Sequence, residues 1–249
     1  MTLDHVRKTY EAFGDEDPFF AVLSDKKKRG GGWDPEEFFA TGVQEIADVF
    51  AYLDEVGVSV PRARALDFGC GAGRLSQALA GHFDEVVGVD ISSSMVRTAQ
   101  DHNKVGERVR YLVNTVGDLS QLESESFDFV YSNITLQHMP TQAARGFIRE
   151  FLRLLRPGGV AVFQVPDGRA FDPDSLGERL VEFWRGPVRR LSKRIRGKAP
   201  VEIHYVARPH VEAIVREGGA TLVDAYDLTH GRKRWTSFRY CARKDASGG

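Results

Sequence analysis

The run Ala65-Leu66-Asp67-Phe68-Gly69-Cys70-Gly71-Ala72-Gly73-Arg74 constrains the fold more than any other stretch, because an apolar strand ends in an acid and passes into three alternate glycines. Glycine tolerates left-handed backbone angles and leaves main-chain N–H groups uncovered toward a ligand, so a strand, a glycine turn and a helix in succession make a nucleotide-sized pocket. The pattern is D-x-G-x-G-x-G, with Arg at 74. It departs from the dinucleotide fingerprint, whose third glycine would stand at 74 and let the helix pack close under a pyrophosphate.

Further motifs follow in order. Glu85 to Asp90 is a buried-strand pattern ending in a second acid, placed to accept hydrogen bonds from both hydroxyls of a ribose. Ile91-Ser92-Ser93-Ser94-Met95 combines helix-capping hydroxyls with a flexible thioether suited to a purine face. A third apolar run, Val109 to Val113, precedes Val116-Gly117-Asp118-Leu119, where Asp118 offers a carboxylate to an adenine amino group. Ser126 to Asn133 reads as a fourth strand, and Leu155-Arg156-Pro157-Gly158-Gly159 as the turn into a fifth. Singly, each has a plainer reading: Asp67 and Asp90 as helix caps, Met95 as core, Asp118 as a turn cap, Leu155 to Gly159 as a helix stop.

Jointly, independent caps and turns have no reason to reproduce this order. From about residue 63 to 166 the five motifs resemble those of class I S-adenosylmethionine-dependent methyltransferases of the small-molecule type. The resemblance implies an α/β, Rossmann-like seven-stranded sheet of order 3-2-1-4-5-7-6 with strand 7 antiparallel, and S-adenosyl-L-methionine as cofactor. It further implies cofactor contacts from Asp67, Gly69, Cys70, Gly71, Gly73, Asp90, Ile91, Met95, Asp118, Leu119 and Asn133.

Alternating strand and helix patterns independently predict a parallel sheet, with helices near 74–82, 93–102, 141–155 and 209–217 and late strands near 221–226 and 235–243. Thr141 is expected to cap the third of these helices. Residues 1–60 read as an N-terminal helical cap or lid: Asp34-Pro35-Glu36-Glu37 supplies an N-cap, an N1 proline and an acid at N3, followed by a stripe of Val43, Ile46, Ala47 and Phe50. In the family such segments fold over the cofactor, and Tyr10, Trp33 and Phe39 are the aromatic candidates to close the pocket. The resemblance implies a methyltransferase domain over residues 61–249, within which 167–208 are expected to be an insertion after strand 5 contributing to the acceptor site.

The 249 residues are 42% hydrophobic and 28% charged, which suits a full-sized core. No run approaches a membrane span or a signal-peptide core, so a cytoplasmic protein without a transmembrane segment is expected. Two cysteines, Cys70 and Cys241, fit neither a disulfide framework nor a zinc site and read as small buried residues. The net charge of −1 hides an asymmetry, since residues 185–198 carry seven Lys and Arg and no acid. Val188, Leu191 and Ile195 make that segment a short amphipathic helix with a basic face, either merely solvated or docking an anionic acceptor or a membrane surface peripherally. Lys26-Lys27-Lys28-Arg29 beside three glycines reads as a second basic patch on a mobile loop.

His138, in the loop leaving the fourth strand, is the candidate general base. A structural imidazole is the alternative. His204 and Tyr205, at the end of the insertion, are candidate acceptor-binding residues, with His230 as a weaker one. No acidic triad suggests a catalytic metal, and Ser132-Asn133-Ile134-Thr135 lacks the tetrad of nucleobase amino-methyltransferases, which argues against a nucleic-acid substrate. O-methylation of a small polar acceptor such as a sugar, glycan or natural product is the leading expectation. N-methylation of a small amine or amino sugar is the second, and a non-catalytic S-adenosylmethionine-binding protein the third. On the first, the rate should rise through an ionisation near the ordinary imidazole value of about 6.5.

Overall fold

The structure, a computed structural model, describes residues 2–168, 202–228 and 236–246. The basic segment 185–198, most of the insertion and His230 lie outside the described residues.

Three helices open the chain: α1 (Leu3–Glu16), α2 (Pro18–Val22) and α3 (Pro35–Glu55). The sheet then begins with β1 (Arg64–Phe68), α4 (Arg74–Leu79), β2 (Glu85–Asp90), α5 (Ser93–Asp101), β3 (Val109–Val113) and β4 (Phe127–Ser132). It continues with α6 (Thr141–Leu154), β5 (Leu155–Gly168), α7 (Arg208–Glu217), β6 (Ala220–Asp227) and β7 (Thr236–Lys244). The strand order is 3-2-1-4-5-7-6, and β7 runs antiparallel to both neighbours. This is the Rossmann-like methyltransferase sheet expected from the sequence.

Strands buried on both faces give near-continuous apolar runs, and their alternation feeds two cores. Leu66 and Phe68 of β1 face the core that holds Phe147, Phe151 and Ile214 of α6 and α7. Ala65 faces the other, with Ile46, Leu53, Leu75 and Leu79 of α3 and α4. Asp67, on the Ala65 face, is therefore aimed at α4.

Asp34 caps α3 as expected, its carboxylate accepting from the Glu37 N–H at 3.0 Å. The apolar stripe of α3 runs in a different phase: Phe38, Gly42, Ile46, Val49, Phe50 and Leu53 face inward, while Val43 is 61% exposed and Ala47 is also exposed. Gly42 sets this phase, because a Cβ there would stand 2.4 Å from the Arg74 carbonyl oxygen. Pro140, not Thr141, occupies the N-cap of α6, and the Thr141 hydroxyl donates instead to the Tyr205 carbonyl at 3.0 Å. The Lys26–Arg29 patch is a tied turn rather than a free loop. Asp25 caps a short 3-10 helix over Lys26–Lys28, and Asp17 Oδ2 accepts from the Gly30 and Gly31 N–H groups at 2.8 and 3.0 Å. Cys70 and Cys241 are free thiols, both buried as expected.

Candidate active site

At the C-terminal ends of β1, β2 and β4, where the strand order reverses, a cleft of about 780 Å³ counted to its open mouth lies beneath the N-terminal helices. Its floor is Phe68, Gly69, Gly71, Val89, Asp90 and Ile91; Met95, Asn114 and Phe147 form the sides. Asn133, Ile134, Thr135, His138 and Met139 supply the wall beyond β4, and Val6, Tyr10, Ala21 and Val22 the roof.

The glycine turn is shaped for close approach. Gly69 and Gly71 have φ of +79° and +51°, and a Cβ would meet the Thr135 side chain at 2.2 Å from the first and Val22 Cγ2 at 2.7 Å from the second. Beside it, Asp90 Oδ2 accepts from the Gly71 N–H and Oδ1 from the Ser92 N–H, each at 2.9 Å. Together with a further main-chain contribution from Ile91, these bonds leave part of the carboxylate's acceptor capacity of roughly four lone-pair positions for a ligand in the cleft. Burial raises the Asp90 carboxyl above its ordinary value, while the bonds from Ser92 and Gly71 act in the opposite direction. With Asp90 as acceptor, Ile91 and Met95 as an apolar platform and a side-chain-free turn, the residues present fit S-adenosylmethionine.

Of the expected cofactor contacts, Gly69, Gly71, Asp90, Ile91, Met95 and Asn133 line the cleft. The remaining five do not. Asp67 is 1% exposed and accepts from the Ser76 hydroxyl at 2.6 Å beneath the turn; burial pushes its carboxyl up to about 7. Cys70 packs into the α3–α4 core, its thiol pushed up by burial. Gly73 lets Tyr111 and Ala99 pack against the start of α4. Asp118 is exposed and its Oδ1 accepts from the Ser120 N–H and hydroxyl at 3.1 and 2.7 Å. Leu119 is fully buried, and its N–H donates to Glu150 at 2.8 Å. On the side of the cleft nearest Asp118, the lining residue is Asn114, whose amide holds the Val116 and Asp118 carbonyls at 3.2 and 2.9 Å.

His138 lines the cleft, with the Tyr10 ring centroid 5.8 Å from its own. His138 Nε2 lies 3.0 Å from Gln137 Nε2, whose amide oxygen is 3.5 Å from Gln164 Nε2, and His138 Nδ1 is buried without a hydrogen-bond partner among the described residues. Burial lowers His138 to about 4; the Glu202 main chain and the nearby His204 alter this less. His204 does not line the cleft. Its N–H donates to the Gln137 carbonyl at 2.8 Å, and its Nε2 lies 3.6 Å from Glu202 Oε2. Tyr205 is half exposed outside it. Among the aromatic lid candidates Tyr10 roofs the cleft, whereas Trp33 and Phe39 pack with Phe19 and Phe38 behind the roof.

Two features were not read from the sequence. Ile134, a β-branched residue at φ +59°, is 43% exposed at the cleft, its N–H accepted by Gln164 Oε1 at 3.1 Å. Such strain in a branched side chain persists where surrounding bonds impose it, and it concentrates at functional sites. Glu45 of α3 is the other: it accepts from Arg74 Nη2 at 2.6 Å, the Tyr131 hydroxyl at 2.8 Å and Asn133 Nδ2 at 2.6 Å. Only the helical spacing and the buried setting of α3 hinted at a polar residue with a partner there.

Among the described residues, no group of three or more His, Cys, Asp or Glu is placed to hold a metal ion, and no helix is long and apolar enough to cross a membrane.

Residues 66–163 match the family described as "Methyltransferase domain". The ubiquinone biosynthesis O-methyltransferase of Xanthomonas campestris pv. campestris (strain B100) is 39% identical over 103 residues, 41% of this chain and 42% of that protein. The chain thus matches less than half the length of that relative. The crystal structure of magnesium protoporphyrin IX methyltransferase from Synechocystis PCC 6803 with bound SAH superposes with a TM-score of 0.63 at 21% identity, covering 97% of this chain and 99% of that one. The [4+2]-cyclase SpnF superposes with a TM-score of 0.66 at 15% identity, covering 99% and 98%. The same fold thus also carries a protein named for a cyclisation, and fold alone does not assign the reaction.

Proposed function

We propose that this chain, a member of the class I S-adenosylmethionine-dependent methyltransferase family, methylates a hydroxyl group on a small acceptor carrying an apolar body. The observation that carries the reading is a neutral imidazole, His138, in the wall of the cleft whose floor suits the cofactor. The cofactor supplies a methyl group made electrophilic by positive sulfur. The chain must hold both reactants in line and exclude water.

Asp90, Ile91 and Met95 would hold the nucleoside end of the cofactor, and the Gly69–Gly71 turn, free of side chains, would leave main chain open to the rest of it. Val6 and Tyr10 of α1, with Val22 of α2, cover it from solvent. On this reading Gln137 yields the lone pair of His138 Nε2 to the incoming hydroxyl, whose hydrogen that nitrogen accepts and whose oxygen it orients. Ile134 and Met139 flank that position with apolar surface. Such a wall favours an apolar or aromatic natural product over a sugar or glycan, whose hydroxyls would be left without partners. The relative named as an O-methyltransferase supports oxygen as the site of transfer.

The low pKa of His138 makes it a weak base, and this favours N-methylation as the second reading, since an amine needs only to arrive unprotonated. Labelled S-adenosylmethionine supplied with matched phenols and anilines, and the products identified by mass, separates the two. An O-methylated product is expected. His138→Ala should then lower turnover by about 10²- to 10⁴-fold without loosening the cofactor. The acidic limb of the wild-type rate should fall at about 4, not at the ordinary imidazole value expected from sequence. Exclusive transfer to nitrogen would install the second reading, and cofactor binding without turnover on any acceptor would leave a binding protein.

A further inference from the structure

Glu45 lies outside the cleft, yet its carboxylate joins three parts of the site. Arg74, 4% exposed and directly after the glycine turn, provides the charge that pairs with it at 2.6 Å. Tyr131 and Asn133, both donating to Oε1 at 2.8 and 2.6 Å, bring in the end of β4. A carboxylate accepts and cannot donate, so the Asn133 amide must present its nitrogen to Glu45. The opposite face of that amide is the carbonyl oxygen.

Asn133 is itself a lining residue. The β1–β4 register pairs Asp67 with Tyr131, and just past these strand ends Gly69 and Asn133 both line the cleft. Asp90, at the end of β2, flanks β1 on its other side. A ligand with its ribose at Asp90 and its chain crossing Gly69 therefore delivers its far end to Asn133. In the cofactor, that end is an amino acid bearing a cationic α-ammonium group.

We propose that Glu45 is a positioning residue: by engaging the amide nitrogen of Asn133 it presents the Asn133 carbonyl oxygen to the α-ammonium group at the amino-acid end of the cofactor. Arg74 neutralises Glu45, so the carboxylate orients Asn133 without itself competing for that ammonium. The inference rests on the methyltransferase reading and assigns it a residue of α3, outside the cleft lining.

The test is calorimetric binding of two ligands, S-adenosylhomocysteine and 5′-methylthioadenosine, which lacks the amino-acid end. Glu45→Ala, which removes the acceptor, should weaken S-adenosylhomocysteine by about ten- to hundredfold, the range for a hydrogen bond to a charged group, and change methylthioadenosine by no more than about twofold. Asn133→Ala, which leaves the Glu45–Arg74 pair intact, should show the same selective loss and keeps the test valid if Glu45→Ala folds poorly. In the double variant the losses should not add, since both act through one bond. Equal losses on both ligands would show that Glu45 merely docks α3, and additive or absent losses would equally overturn the proposal. A wild-type protein that binds neither ligand overturns the methyltransferase reading itself.

Discussion

At the scale of single residues, two aspartates that look alike in sequence face different surroundings. Asp90 faces the cleft and holds two main-chain N–H groups. Asp90→Ala should weaken S-adenosylhomocysteine by about 1.5–3 kcal/mol, the range for bonds to a charged acceptor, with circular dichroism unchanged; calorimetry reads the loss. Asp67 is sealed beneath the turn, its carboxyl pushed up to about 7 by burial. A carboxyl raised in the fold stabilises fully below its unfolded value of about 3.9, and that contribution is lost as pH rises through about 7. The slope is at most one proton, about 1.4 kcal/mol per pH unit. Asp67→Asn keeps an acceptor for the Ser76 hydroxyl and cannot ionise. Urea denaturation at pH 5 and pH 8 should therefore show the variant gaining on wild type at the higher pH, and an equal difference at both would mean that Asp67 is ionised in the fold.

At the scale of elements, the roof of the cleft depends on how α1 is fastened. Glu11 of α1 accepts from the Ser92 hydroxyl at 3.0 Å, the Ser93 N–H at 2.8 Å and the Ser93 hydroxyl, so one helix caps the N-terminus of another, α5. Gly14 lets the two helices touch, since a Cβ there would stand 2.2 Å from Ser94 Oγ. Burial raises the Glu11 carboxyl, but the bonds from Ser93 and Ser92 outweigh it and hold the group below the usual carboxylate range. For a depressed carboxyl the stabilisation is present above the unfolded value of about 4.3 and disappears as pH falls through the lower, folded value. Glu11→Gln should raise hydrogen exchange in α1 by the equivalent of about 0.5–2 kcal/mol at neutral pH, as loss of a cap does, while β1 and β4 keep their protection. Gly14→Val should do the same by displacement. Exchange spread evenly over the chain would mean that α1 is not a separately fastened element.

At the scale of the whole molecule, stability resides in the two apolar layers on either side of the sheet. Phe129 of β4 is fully buried, with Phe83 stacked at 5.5 Å between centroids and Phe50 at 5.7 Å. Phe129→Ala should cost about 3–5 kcal/mol in a denaturation experiment. Phe129 is not a lining residue, so cofactor affinity measured well below the unfolding midpoint should hardly change. A lost affinity without lost stability would place it in the site instead.

Much of this was legible in the chain because periodicity and turn chemistry act over a few residues. The strand pattern of Glu85 to Asp90, the glycine turn and the Asp34–Glu37 cap all formed where the sequence put them. Side-chain direction was less legible. Asp67 reads as a cofactor residue until strand alternation, with α4 packed on that face, turns it toward Ser76. Asp118 reads as an adenine contact and Leu119 as a cofactor contact, but neither lines the cleft: Asp118 is exposed with Ser120 on its Oδ1, and the Leu119 N–H donates to Glu150. The phase of α3 was set by the close approach of Gly42 to Arg74, a residue of another helix. Glu45 meets Arg74 and Asn133 across 29 and 88 residues of chain, and no local pattern joins them. The sequence determined by itself the elements and the chemistry they carry, because both follow from short-range geometry. Which groups share the cleft was decided only by the tertiary structure, because that depends on the order in which the strands lie and on the helices laid over their ends.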